Sequence, residues 1–195
     1  MKKILLLILI LIINLQVVSR ASDINDFEIG PISLGQSLLD YVEKNQIETL
    51  KSEDQYPNDK YIRYEISKIV SIEQYDFVDV MIKKNDPNYI IKGISGAITY
   101  YELSKCLEIK DEIQKNVEEI LKAVDKQDTE FPTKQDSTGE SIIYGVQYYT
   151  KPYPSNESII INCYHMSEKS NIQRVLRISV NTDEYAYFIV NDSFN

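Results

Sequence analysis

The chain has 195 residues, 43% of them hydrophobic and 26% charged, with only six glycines and six prolines. This composition is ordinary for a folded globular protein and excludes the disordered and low-complexity classes. The formal net charge of −9 at pH 7 gives a surface potential of the wrong sign for nucleic acid or anionic lipid and excludes both as partners.

Lys2 and Lys3 precede an unbroken apolar run from Ile4 to Ile13, and Ser19 and Ala21 are the small residues a signal peptidase reads. The order predicts a signal peptide over residues 1–21, cleaved after Ala21, and a periplasmic or secreted mature protein. The apolar segment reaches only Val18 and already holds Asn14 and Gln16, whereas a membrane span needs about 20 apolar residues. No stable span is expected after cleavage. Cleavage removes Lys2, Lys3 and Arg20 and no acid, so the mature chain is more acidic than the whole. In an exported chain, two cysteines predict one disulfide, Cys106–Cys163, the alternative being two buried free thiols.

After Gly30-Pro31, a turn signal, Ser37 followed three residues on by Asp40 reads as a capping-box variant. Leu38, Leu39 and Val42 then form the apolar side of a short helix, with 47–50 as a further turn. After a turn built on Pro57-Asn58-Asp59, three strands are expected, over 61–70, 75–83 and 89–100, with Asn85-Asp86-Pro87-Asn88 as the turn before the third. The third places Ile90, Ile94, Ile98 and Tyr100 on one face at period two. Gly93-Ile94-Ser95-Gly96 lies inside it, and its glycines predict a bulge or the close approach of a helix rather than a phosphate loop.

The longest helical pattern covers 101–124, with Leu103, Cys106, Leu107, Ile113, Val117, Ile120, Leu121 and Val124 on one stripe. Residues 125–139 are polar, hold Pro132 and Gly139, and read as a boundary. Beyond them, alternation predicts strands over 141–150, 158–166 and 171–181. In the middle one Ile159, Ile161, Cys163 and His165 share one face, and Ile160, Asn162, Tyr164 and Met166 the other. Thr182-Asp183-Glu184 reads as the cap and acidic first turn of a short terminal helix. The fold class is therefore α+β: antiparallel sheet of about six strands covered by one long helix, with short N- and C-terminal helices. Residues 22–124 and 125–195 form two halves, either two lobes or one continuous domain.

Candidate chemistry is sparse. Cys163 and His165 share a strand face with Cα atoms about 7 Å apart, long for the thiolate–imidazolium pair of a thiol hydrolase but within its reach, and a disulfide would consume that thiol. One histidine and two cysteines are too few for structural zinc, and no acidic loop has the register of a helix–loop–helix calcium site. No metal and no cofactor is expected. Tyrosine is abundant, fifteen against no tryptophan. Tyr144, Tyr148, Tyr149 and Tyr153 cluster on one strand and its turn as a candidate contact surface, or simply as good strand formers.

The run Phe27-Glu28-Ile29-Gly30-Pro31-Ile32-Ser33-Leu34-Gly35-Gln36-Ser37-Leu38-Leu39-Asp40-Tyr41 resembles the start of small exported proteins of marine bacteria with AT-rich genomes. So do Ile94-Ser95-Gly96-Ala97-Ile98-Thr99-Tyr100 running on to Cys106, and the ending 179–191. That resemblance implies location and no chemistry. Gly35-Gln36-Ser37 is more distantly similar to the helix start of the outer-membrane assembly lipoprotein and β-lactamase-inhibitor-like helix–sheet modules, which implies a sheet used to bind protein; the lipidated cysteine of those lipoproteins is missing here. The expectation is an exported, non-enzymatic module that binds a protein, such as another envelope protein, or a small ligand. The alternatives are a hydrolase using Cys163 and His165, or a structural envelope component.

Overall fold

The computed structural model describes residues 24, 27–67, 69–70, 72–121, 125–133, 136, 138–151, 155–170 and 172–193. The expected signal segment, Val124 and Tyr153 lie outside them.

A small hairpin pairs β1 (Glu28–Ile29) with β2 (Ile32–Ser33), with Gly30 turning the chain at positive φ. Ser37 caps a 3-10 turn over Leu38–Asp40, its hydroxyl accepting from the Leu39 N–H and the Asp40 carboxylate accepting from the Ser37 N–H. The expected capping box is therefore present, though on a single tight turn. The short helix α1 (Lys44–Ile47) and a second 3-10 turn (Glu48–Leu50) follow.

Strands β3 (Tyr61–Glu65), β4 (Phe77–Lys83), β5 (Ile91–Thr99), β6 (Asp125–Pro132), β7 (Ile142–Tyr149), β8 (Ser158–His165) and β9 (Val175–Asn181) form one antiparallel sheet. Their spatial order is β3-β4-β5-β9-β8-β7-β6. Strands from both halves of the chain thus join in one sheet through β5 and β9. Two helices complete it: α2 (Leu103–Ile120) between β5 and β6, and α3 (Asp183–Asn191) after β9.

Seven strands stand where about six were expected. The additional one is β6, inside the stretch expected as a boundary. It is a sheet edge and almost wholly exposed, so no burial demanded apolar residues and its sequence kept no alternation. Between β4 and β5 the register slips at Met81 and Ile82 of β4, leaving Lys92 of β5 unmatched. That bulge brings Ile91, rather than the expected Ile90, into the core.

One sheet face is apolar. Val80, Ile94, Val180, Ile159 and Tyr148 form one cross-strand row on it, with Ile178, Ile161 and Val146 in the next. Over β8 and β9 this face is covered by α2 through Cys106, Val117 and Leu121. Over β3–β5 it is covered by the N-terminal segment through Ile29, Ile32, Leu34, Leu38, Ile47 and Leu50. The α2 stripe differs from expectation at two places. Ile120 is half exposed, and Lys110 is buried along its stem, its ammonium reaching Asp111 and Gln114.

Candidate functional site

The disulfide joins Cys106 and Cys163, with sulfurs 2.07 Å and Cα atoms 6.0 Å apart, both residues fully buried. No free cysteine remains among the described residues, so Cys163 offers no thiolate to His165. Burial, with the Arg174 charge second, pushes the His165 imidazole down, and its Nδ1 is buried without a hydrogen bond.

The tyrosines do not form one surface. Tyr144 and Tyr148 lie on the apolar face. Tyr148 is fully buried, and its hydroxyl donates to Glu118 of α2 over 2.9 Å. Tyr149, one residue on, points to the opposite face.

That opposite face has a different character. At its β3–β5 end α3 packs on it: Tyr185 and Phe188 meet Tyr61 and Met81 in a second small core. Gly93 permits the close approach, since a Cβ there would lie 2.5 Å from the Tyr185 ring. The approach expected of the long helix is made instead by α3, and at Gly93 rather than at both glycines. Gly96 faces the other way, beneath Tyr75.

Across β9, β8, β7 and β6 no described helix lies on this face. Strand register arranges its side chains in rows. Ser95, Ser179, Ile160, Gln147 and Gln127 form one. Arg177, Asn162, Gly145 and Thr129 form the next. Asn162 and Thr129 lean over Gly145, where an added Cβ would lie 2.1 Å from Asn162 Oδ1 and 2.6 Å from Thr129 Oγ1. Asn162 Nδ2 also donates to the Tyr164 hydroxyl at 3.4 Å. Among the described residues, the side chains of Gln127, Gln147, Thr129, Ser179 and Tyr149 make no hydrogen bond to protein.

Where this row meets β4 there is a charge cluster. Arg177 Nη1 lies 3.3 Å from Asp79 Oδ2 and 3.3 Å from Ser95 Oγ. Asp79 is buried, and desolvation pushes its carboxyl up; the Arg177 and Arg63 cations offset part of that rise. This pairing neutralises the one cation of the β6–β9 rows.

At the β6–β7 end the face runs into a cleft of about 470 Å³, lined by Asp125, Lys126, Gln127, Tyr149, Lys151, Ser155 and Asn156. Such a volume lies within the range of ligand pockets, about 300–1,000 Å³. Both lysines have carboxylate partners: Lys126 with Glu118 at 3.0 Å and Lys151 with Glu157 at 2.9 Å. No group of three or more metal-ligating side chains occurs among the described residues, and none of their helices is long and apolar enough to cross a membrane.

The cleft and amide rows escaped the sequence reading, which weighed tyrosines and the Cys–His pair. The signal was present in β8, where Ile160, Asn162 and Tyr164 alternate with the apolar set, but which face a helix covers is not written in one strand. The arrangement sets amide and hydroxyl side chains in rows beside the ring of Tyr149 at the cleft. No protein-family model, curated protein or solved structure matches the chain.

Proposed function

We propose that this chain is an exported, non-enzymatic binding module that holds its ligand on the open sheet face of β6–β9 and in the adjoining cleft. The supporting observation is the asymmetry of the sheet. One face is covered over β3–β5 by the N-terminal segment and over β8 and β9 by α2, while the other leaves amide and hydroxyl side chains without protein partners. Such groups are solvated in the free protein and become selective contacts when a ligand replaces that water. Export is supported by the charged, apolar and small-residue order of residues 1–21, and the destination is the periplasm or the exterior.

The test is a melting-temperature screen of the purified protein against peptides, oligosaccharides and small metabolites, with Gln147→Arg as the blocked-face control. A ligand at a hundred times its Kd stabilises by about 2.7 kcal/mol, which raises Tm by roughly 5–10 °C for a chain of this size. The reading fails if no class raises Tm, or if the blocked variant responds as the parent does.

A further inference from the structure

We infer that the ligand of this face is a neutral polyhydroxylated chain, an oligosaccharide laid across β6–β9 with one end in the Tyr149 cleft. The inference rests on the binding reading above and names its ligand class.

Charge carries the first step. The chain is strongly acidic at −9, yet on this face from β6 to β9 the only charged side chains are Asp125 and Arg177. Arg177 is held by Asp79, and the lysines at the cleft by Glu118 and Glu157. An anionic ligand would have to break those pairs and then meet the acidic remainder of the surface. A cationic ligand would find one carboxylate, at the rim. Neutral ligands alone meet a matching potential.

Hydrogen-bonding chemistry carries the second. Gln127 and Gln147 each present two donors and an acceptor, and Thr129 and Ser179 present hydroxyls that do either. A row of such groups answers a ligand whose hydroxyls are themselves both donor and acceptor. A lipid chain would strand these groups without partners. Ring contact is the third step. Tyr149 lines the cleft, and the negative face of its ring attracts the polarised C–H groups of a pyranose. From Tyr149 to Ile143, beside Tyr164, the strand runs about 20 Å. The platform is therefore long enough for a chain rather than a single sugar.

The experiment is backbone-amide shift mapping of the purified protein. The neutral probes are cellohexaose, xylohexaose, mannohexaose and N-acetylchitohexaose. An oligogalacturonate serves as the anionic probe, and an uncharged ten-residue strand peptide tests protein-like contact. At least one neutral hexaose is expected to shift amides of β6–β9. Its Kd should rise roughly three- to tenfold in Gln147→Ala and in Tyr149→Ala, and stay within about twofold in Tyr149→Phe, which keeps the ring. Gln127→Ala, at an exposed edge position, supplies the same readout if Tyr149→Ala does not fold. If the peptide or the galacturonate shifts this face and no neutral hexaose does, the oligosaccharide assignment is overturned while the binding reading stands. If no probe shifts it, the oligosaccharide assignment is overturned, and the binding reading is decided by the melting-temperature screen, whose small metabolites are not among these probes.

Discussion

Reducing the Cys106–Cys163 bond tests how the long helix is held. The bond closes a loop of 57 residues between the start of α2 and the middle of β8. In the chain-entropy account a loop of that length is worth about 4 kcal/mol, against a total of roughly 5–15 kcal/mol for a typical domain. The magnitude matters because α2 is a thin cover. Its inward stripe contains Lys110 and leaves Ile120 half exposed, and Leu103, Leu107, Ile109 and Ile113 pack on the core only partly buried, so the covalent contact adds to an incomplete apolar seal. Equilibrium urea unfolding of oxidised and reduced protein, followed by far-ultraviolet circular dichroism, measures the difference with every side chain unchanged. The expected result is a loss of about 4 kcal/mol and a larger m-value, because the unfolded chain is no longer cross-linked. Thiol titration in denaturant should give none before reduction and two after. A loss below about 1 kcal/mol, or thiols titrating before reduction, would refute the reasoning.

Two further perturbations probe the opposite face and the loops. Gly93→Ala places a methyl 2.5 Å from the buried Tyr185 ring; it should cost about 1–3 kcal/mol in thermal unfolding, and an unchanged Tm would mean that α3 lifts off the sheet freely. Asp136 accepts from the Thr138 N–H and hydroxyl and from the Ser141 and Ser167 hydroxyls, which hold its carboxyl well below the usual range. A depressed carboxyl stabilises the fold above its unfolded pKa and loses that contribution as pH falls through the folded value. Asp136→Asn should therefore lower Tm at pH 7 and flatten the Tm-against-pH curve below about pH 4. Parallel curves for the two proteins would overturn this account.

Strands with one face in the core were legible because burial writes alternation into them. Ile142, Tyr144, Val146 and Tyr148 in β7 and Ile159, Ile161 and Cys163 in β8 alternate for that reason. The terminal helix was legible through its cap, the Thr182 hydroxyl accepting from the Tyr185 N–H as the Thr-Asp-Glu signal predicts. What failed was wherever burial placed no demand. Strand β6 has no covered face, so Asp125–Pro132 reads as a linker. Ile91 replaces Ile90 in the core because a bulge shifts parity, and a one-residue slip leaves no mark in composition.

The candidate site was illegible for a related reason. Its polar side chains sit one per strand at every second position, so that Thr129, Gly145, Asn162 and Arg177, adjacent in space, are scattered over nearly fifty positions of sequence. No local motif records such a row; it exists only once the strand order β9-β8-β7-β6 is fixed. The same logic separates two kinds of tyrosine that the sequence presents as one cluster. Tyr148 spends its ring in the core and its hydroxyl on Glu118, while Tyr149, displaced by a single residue, keeps both for the cleft. The parity of one strand decides which tyrosine is locked into the core and which lines the cleft.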